Sequence, residues 1–266
     1  MGGVSIFPAY LLTVFSCAIL LSFVSSYSFV DYFTRSQLFK YLLANLTFLN
    51  FVEPCLPGVF TSDRLVFCSV NGSLWTLKIE VGFYLVVPIL LCLTNKIKRK
   101  YIVLLIIYVL AVLYHYALRE LSASTGISMF STLSHQLPRF MSYFACGIAL
   151  HYYFDFFIKN KNRFLFAGII LFAFEKYMGW EILTPFALSA VVFGLAYSLK
   201  GLNNFGKYGD ISYGIYIYHF PIMQIAVNLG YFDRYNPFLV AGAIILMVVI
   251  LGFLSWHLLE KKFLKR

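Results

Sequence analysis

Four polar side chains recur at helical spacing inside one of the most apolar stretches of the chain. Ser73, Thr76, Glu80 and Tyr84 are three or four residues apart in a segment that stays largely apolar from residue 74 to 93. They therefore share one face of a helix. A carboxylate inside a membrane-spanning helix costs roughly 2.5–3.5 kcal/mol on insertion scales, which makes Glu80 a candidate functional residue. The alternative is a structural Glu80 that hydrogen-bonds to a neighbouring helix or pairs with Arg139.

A second polar group lies near the C-terminus. His219 is preceded by Tyr216 at three residues and Ser212 at seven, so all three share a helix face. Pro221 has no N–H and leaves the carbonyl of Ile217 without a helical partner, which predicts a distorted helix. Histidine is the usual general base near neutral pH, so His219 is a candidate base. A packed, hydrogen-bonded histidine is the alternative.

The elements that carry these residues must be membrane-spanning helices. The 266 residues are 61% hydrophobic and only 12% charged, with 29 Phe and 20 Tyr, whereas soluble domains carry about 25% charged residues. The apolar runs are too long for the strands of an outer-membrane barrel and do not alternate. The composition therefore predicts an all-α fold, a polytopic transmembrane helical bundle. The net charge of +10 is attributed to basic cytoplasmic loops, with no nucleic-acid partner.

Hydropathy predicts about eight spans in a single domain over residues 1–266. The long segment 28–73 separates the first two spans, and its apolar part 41–52 is too short to cross, so we interpret it as re-entrant or interfacial. The spans are predicted at 6–27, 74–93, 101–118, 138–157, 164–179, 182–199, 210–229 and 237–257.

The basic residues predict the orientation of these spans. Thirteen of the 21 Lys and Arg residues fall in four stretches, 96–100, 159–163, 200–207 and 261–266. The positive-inside rule places them, and both termini, in the cytoplasm. Cys55 and Cys68 share the loop on the other side and can pair if that side is oxidising. The five cysteines show no CxxC and no metal-ligand spacing.

The first span departs from this rule. No Lys or Arg precedes it, whereas Arg35 and Lys40 follow it on the predicted outer side. The positive n-region of a cleavable signal peptide is absent as well. We therefore expect upstream sequence, with its own spans and a basic loop, to precede this chain.

Five stretches, in order along the chain, resemble the signatures of acyltransferase family 3. The segment from Ser73 to Pro88, SLWTLKIEVGFYLVVP, resembles the family's "(H/S)LWSLSVEEQFYLLWPLLL". The others are IFPAY at 6–10, which is similar to "RIYPAYL"; LPRFMSYFACG at 137–147, similar to "PxRFxxFxxGxxL"; GDISYGIYIYHFP at 209–221, similar to "LGxISYSLYLWHFPV"; and SWHLLEKKF at 255–263, similar to "SYxLIEKPF".

The resemblance implies an integral membrane O-acyltransferase of the bacterial inner membrane that modifies cell-envelope polysaccharide or lipopolysaccharide. It implies acetyl-coenzyme A as acyl donor, an envelope glycan as acceptor, the lipid bilayer as surroundings and no metal. We assign Glu80 and His219 to catalysis. Substrate binding is assigned to Trp75, Tyr84, Arg139 and Tyr216.

The resemblance covers spans three to ten of a ten-span domain. The family's first span, which carries an Arg and a His eleven residues later that is thought to be catalytic, has no counterpart here. We therefore expect the 266 residues alone to be inactive. The alternatives are a transporter of polysaccharide or lipid-linked sugar, and a non-functional fragment.

Several other polar residues receive less specific interpretations. Glu260 matches a family position, but a solvated interfacial residue is an equal alternative. Asp210 is expected to cap a helix that begins near Ser212. The remaining histidines show no metal spacing and are interpreted as ordinary residues at span ends and in loops; they are His115, His135, His151 and His257.

Overall fold

The structure is a computed structural model that describes residues 3–61, 68–199, 201 and 209–264. These residues are helical apart from turns and one isolated β-bridge, between Cys55 and Ser69. The prediction of an all-α membrane protein is confirmed. Four basic residues used in the orientation argument lie outside the described residues, namely Lys200, Lys207, Lys265 and Arg266.

Thirteen α-helices follow one another in the described part of the chain. They are α1 (Gly3–Leu20), α2 (Phe29–Thr34), α3 (Ser36–Leu46), α4 (Trp75–Asn95), α5 (Lys100–Thr125), α6 (Ser128–Ser134), α7 (Leu137–Tyr152), α8 (Phe154–Met178), α9 (Thr184–Ser198), α10 (Ser212–Asn228), α11 (Tyr231–Arg234), α12 (Pro237–Ser255) and α13 (Lys261–Leu264). Three short turns extend them: 3-10 turns at Leu21–Val24 and Gly72–Leu74, and a π-helical turn at Trp256–Glu260 that joins α12 to α13.

The chain divides into two compact units, so the interpretation as one domain stays a prediction. The first unit comprises Met1–Val81 and Gly206–Arg266, and the second comprises Gly82–Phe205. Helix α4 contributes to both, because its residues up to Val81 belong to the first unit.

Three buried tyrosines lie in the core of the first unit. Tyr10, Tyr32 and Tyr41 are at most 1% exposed and pack with residues of α1, α3, α10 and the segment that precedes α4. The Tyr10 hydroxyl donates to the carbonyl of Asn45 at 2.6 Å, and the Tyr32 hydroxyl donates to that of Ala18 at 2.8 Å. Buried hydroxyls bonded to backbone fix the positions of the helices they join.

Helices α10 and α12 cross at a pair of glycines. A Cβ atom added at Gly214 would lie 2.6 Å from the Cα of Gly252, which is backbone and has no room to move. Small residues allow helix backbones in membranes to approach this closely. The contact fixes where α10, and hence His219, lies against α12.

The loop that precedes α4 is closed by a disulfide between Cys55 and Cys68. The two cysteine-bearing segments also pair through the backbone, since Val70 N donates to Pro54 O at 3.0 Å. The pairing that the sequence left open is therefore present.

The second unit contains two pairs of packed helices. Leu104 on α5 packs with Ala145 and Ile148 on α7. Helices α8 and α9 approach at Gly194, where an added Cβ would lie 2.8 Å from the Cβ of Leu165.

The helices over the fourth and fifth predicted spans have different bounds from those spans. The span expected at 138–157 is interrupted at Tyr153, where α7 ends and α8 begins. Helix α8 starts ten residues before the expected 164, so Lys159, Lys161 and Arg163 are helical instead of forming a loop. The segment 154–163 contains no Gly or Pro, and Asp155 in the first turn favours a helix start there.

Four segments of the described residues are long and apolar enough to cross a membrane. They are Phe7–Val24, Gly72–Cys92, Lys100–Thr125 and Pro237–Phe263. Helices also occur within the other four predicted spans, and whether those cross the membrane stays a prediction. The segment 41–52, predicted to be re-entrant or interfacial, contains the end of α3 and then turns.

Candidate active site

A carbonyl left without a helical partner by a proline organises the polar cluster of the first unit. Pro221 lies in α10 and cannot donate to the carbonyl of Ile217. The side-chain amide of Asn71 donates to that carbonyl instead, at 2.8 Å. The carbonyl that the proline leaves without a helical partner is thus satisfied by the segment that leads into α4.

The same Asn71 begins the helical turn before α4. Its Oδ1 accepts from the backbone N–H of Ser73 at 3.1 Å, so Asn71 is the N-cap of this turn. Asparagine is among the preferred N-cap residues. Between them, Gly72 lies under the ring of Phe220, whose nearest atom would be 2.7 Å from an added Cβ.

This arrangement brings Ser73 to His219. The Oγ of Ser73, which is 6% exposed, lies 3.5 Å from Nε2 of His219. The other ring nitrogen, Nδ1, lies 3.2 Å from the carbonyl oxygen of Ile215. Because a carbonyl oxygen only accepts, Nδ1 carries the hydrogen of the neutral ring, and Nε2 is the acceptor that faces Ser73. The ring is therefore set to take a proton from a hydroxyl at this position.

Tyr216 joins the same two segments one helical turn earlier. Its hydroxyl donates to the carbonyl of Ser73 at 2.7 Å and hydrogen-bonds to Oγ1 of Thr76. The predicted polar face of α4 thus contacts the predicted polar face of α10 at Ser73, Thr76, Tyr216 and His219.

Glu80 lies one turn further along α4 and is half-buried. Glu260, in the π-helical turn that joins α12 to α13, belongs to the same unit as Glu80. Glu260 is 3% exposed and accepts from the hydroxyl of Ser255 at 2.7 Å. The interpretation of Glu260 as a solvated interfacial residue is therefore wrong. Asp210 accepts from the backbone N–H of Ser212 at 3.1 Å, as expected of a residue that caps α10.

The remaining predicted site residues have different surroundings. Trp75, the first residue of α4, is 38% exposed and belongs to the first unit. Tyr84, on α4, is 42% exposed and belongs to the second unit. Arg139, at the start of α7 in the second unit, donates to Oε2 of Glu181 at 2.5 Å. The sequence did not single out Glu181, because a charged residue in a short loop is ordinary.

The described residues contain no group of three or more His, Cys, Asp and Glu side chains that could hold a metal ion. The first unit offers an imidazole acceptor, hydroxyls and two carboxylates. These groups suit proton transfer from a hydroxyl.

The chain is similar to one family of proteins and to two known proteins. A family model described as an acyltransferase domain matches residues 3–257. The chain is 26% identical over 269 residues to the "O-acetyl transferase" of Shigella phage Sf6, covering 98% of this chain and 75% of that protein. It is 25% identical over 215 residues to "Nodulation protein 10" of Rhizobium leguminosarum bv. viciae, covering 73% of this chain and 55% of that one. No solved structure matches.

Proposed function

Because the chain belongs to the acyltransferase 3 family of membrane O-acyltransferases, we propose that it transfers an acetyl group to a hydroxyl of a cell-envelope polysaccharide or lipopolysaccharide. The proposed donor is acetyl-coenzyme A. The similarity to a protein named "O-acetyl transferase" supports the acetyl group. The observation that carries the proposal is the hydroxyl–imidazole pair of Ser73 and His219.

His219 is the proposed general base. An acceptor hydroxyl gives its proton to Nε2 while its oxygen attacks the carbonyl carbon of the thioester. The C–S bond then breaks, and the imidazolium returns the proton to the leaving thiolate. The 3.5 Å between Ser73 Oγ and Nε2 supports this role, because it shows a hydroxyl within reach of the proposed base. The competing route, in which Ser73 itself is acylated first, uses the same base.

Glu80 is proposed to bind hydroxyls of the acceptor sugar. A carboxylate often orients a catalytic histidine through Nδ1. Here Nδ1 of His219 faces the carbonyl of Ile215, which leaves no need for Glu80 in that role. Trp75, Tyr84, Arg139 and Tyr216 remain the proposed substrate-binding residues.

The proposed location is the bacterial inner membrane, with both termini in the cytoplasm. The clustering of basic residues supports this orientation. The disulfide between Cys55 and Cys68 supports it independently, because disulfides persist on the oxidising side of a membrane.

The experiment uses membranes in which these 266 residues are the only added protein. Incorporation of radiolabelled acetate into envelope glycan and retention of labelled acetyl-coenzyme A are both measured. Wherever transfer is detected, His219→Ala should abolish it. His257→Ala is the matched control, because Nδ1 of His257 also faces the carbonyl four residues earlier, at 2.9 Å from Phe253 O. A variant Ser73→Ala that keeps substantial transfer excludes the acyl-serine route.

The same assay tests the expectation that these residues alone are inactive. Retention of acetyl-coenzyme A without transfer supports that expectation, because it separates donor binding from turnover. Transfer that depends on His219 contradicts it. The proposed function is contradicted if membranes that contain folded protein show no retention of acetyl-coenzyme A and no acetyl transfer.

A further inference from the structure

A buried histidine of the second unit has an unused nitrogen. His115 lies on α5 and is 4% exposed. Its Nδ1 is 3.1 Å from the carbonyl oxygen of Ser134, so Nδ1 carries the hydrogen of the neutral ring. Nε2 is then a lone-pair acceptor, and it has no hydrogen-bond partner among the residues that the structure describes. Buried polar atoms are almost always bonded, so this one calls for a donor.

The group nearest to Nε2 cannot supply that donor. Oε2 of Glu181 lies 3.5 Å away. A carboxylate and an unprotonated ring nitrogen are both acceptors. Arg139 already neutralises the same carboxylate oxygen, at 2.5 Å, which removes much of the reason for His115 to become an imidazolium in a buried site. Two acceptors side by side fit a ligand that donates, such as a hydroxyl.

The space beside Nε2 is the size of one hydroxyl. The cavity leaves about 10 Å³ for the centre of a water-sized group, close to the minimum that holds one water. Glu181 is 33% exposed, so the cavity reaches the surface. Its polar lining comprises His115, Tyr116, Arg139, Ser142, Tyr143 and Glu181.

The loop that carries Glu181 is held in place on both sides. The backbone N–H of Glu181 donates to the hydroxyl of Tyr116 at 3.0 Å, and the hydroxyl of Tyr108 donates to the carbonyl of Ile182 at 2.6 Å. Both tyrosines belong to α5, the helix that carries His115. A site fixed before the ligand arrives loses less entropy on binding.

Aromatic rings are exposed in this loop and at the end of α8, which precedes it. Trp180 is 47% exposed and Tyr177 is 88% exposed, and Phe174 meets Trp180 edge-on with ring centroids 6.3 Å apart. Rings of this kind offer an apolar face with a polar edge, as carbohydrate rings do. In the proposed orientation, the loop between α8 and α9 lies on the side of the membrane opposite the basic stretches.

We infer that the second unit binds a neutral sugar, with one hydroxyl donating to Nε2 of His115 beside Glu181 and the sugar ring over Trp180. This acceptor-binding subsite rests on the proposed function only for the glycan as ligand. His115 was interpreted from the sequence as an ordinary residue at a span end, and the geometry assigns it a different role.

The binding test uses the full chain in lipid nanodiscs and measures saturation-transfer NMR of methyl glycosides of neutral hexoses, including glucose, galactose and mannose. We expect binding that His115→Phe weakens about tenfold, because a phenyl ring cannot accept the hydrogen bond of the sugar hydroxyl. His115→Gln, whose amide oxygen still accepts, should retain part of it. His151→Phe, at an exposed position on α7, is the matched control.

Thermal unfolding of each variant separates loss of binding from loss of fold. No binding of any glycoside by the folded chain overturns the inference. Inorganic phosphate that binds in their place, and is lost in His115→Phe, overturns it as well, because it identifies an anion site.

A second measurement needs no ligand. NMR of the ¹⁵N-labelled histidines should find His115 neutral at pH 7 with its hydrogen on Nδ1, whereas an imidazolium would overturn the inference. Failure of this subsite is distinguishable from failure of the proposed function. Loss of acetyl transfer in His219→Ala tests the proposed function, whereas loss of glycoside binding in His115→Phe tests this subsite.

Discussion

Asn71 serves two backbone groups with one side chain. Its amide donates to Ile217 O on α10, and its carbonyl oxygen accepts from Ser73 N at the start of α4. Both bonds are needed to hold Ser73 near His219, because each fixes one of the two segments that carry the pair. The positioning of the candidate base is thus local and depends on a residue outside the reaction.

We predict that Asn71→Asp weakens this junction selectively. Aspartate keeps the acceptor for Ser73 N but loses the donor to Ile217 O, which leaves a buried carbonyl unsatisfied at a cost of about 1–3 kcal/mol. The free energy of unfolding should fall by that amount, and acetyl transfer should fall with it. The measurement is denaturant unfolding in detergent beside the transfer assay.

A double-mutant cycle with Pro221→Ala checks the cause. Alanine restores the backbone donor to Ile217 O, so Asn71→Asp should cost less in that background. Equal costs in both backgrounds would show that the Asn71 bond to Ile217 contributes nothing.

The sequence indicates which residues to consider at this scale but not their partners. Glu80 and the carbonyl of Ile217 could be singled out, because a carboxylate or a freed carbonyl within an apolar span is unusual. Asn71 as the donor to that carbonyl could not, since 146 residues separate the two. His115 and Glu181 were missed because their significance lies in the packing around them.

At the scale of elements, the contact between α10 and α12 depends on two glycines. A side chain at Gly214 would meet the Cα of Gly252 at 2.6 Å, so the helices would have to separate. Overpacking of this kind typically costs about 1–3 kcal/mol.

We predict that Gly214→Val destabilises the first unit and displaces His219 from Ser73. The matched control is Gly242→Val on α12, where an added Cβ meets nothing within 4 Å. The two variants share the same change in helix propensity, so only the contact differs. Unfolding in detergent and acetyl transfer should both respond to the first variant much more than to the second, and equal responses would contradict the role of the crossing.

Helix existence was predictable, whereas helix ends were not. Apolar runs and turn-forming residues locate α4, α9, α10 and α12 close to their observed bounds. No glycine or proline near Tyr153 predicts the break between α7 and α8. The basic stretch that follows could be interpreted as a loop or as a helix. The charge pattern favoured the loop, while local propensity favoured the helix that is observed.

At the scale of the whole molecule, the disulfide and the basic stretches give independent indications of orientation. A disulfide is expected on the oxidising side of a membrane, which supports the proposed outer position of the segment before α4. The basic stretch Lys96–Lys100 after α4 supports the proposed cytoplasmic position of the other end. One span separates the two, as an orientation with both termini inside requires.

We predict that Cys55 and Cys68 resist maleimide in intact cells and after denaturation without reductant. Both should react after reduction, with two more thiols labelled per chain than before. Cys92, which is free and exposed, is the internal control in denatured samples. Free thiols at Cys55 and Cys68 in freshly isolated membranes would place this loop in a reducing compartment and reverse the proposed orientation.

The all-helical architecture followed from the sequence, since only helices and closed barrels leave no unpaired backbone groups in a bilayer and the apolar runs are too long, and too uniform, for barrel strands. The division into two units did not follow, because hydropathy is uniform across Val81 and Gly82, within one helix. Packing partners decide such a boundary, and they are invisible in a single sequence.

The bond between Asn71 and Ile217 carries an implication for how related chains diverge. A chain with a proline at position 221 needs an outside donor for the carbonyl four residues earlier, while a chain with any other residue there supplies its own. The residues at positions 71 and 221 should therefore change together among related sequences. If they vary independently of each other, this junction is specific to the present protein.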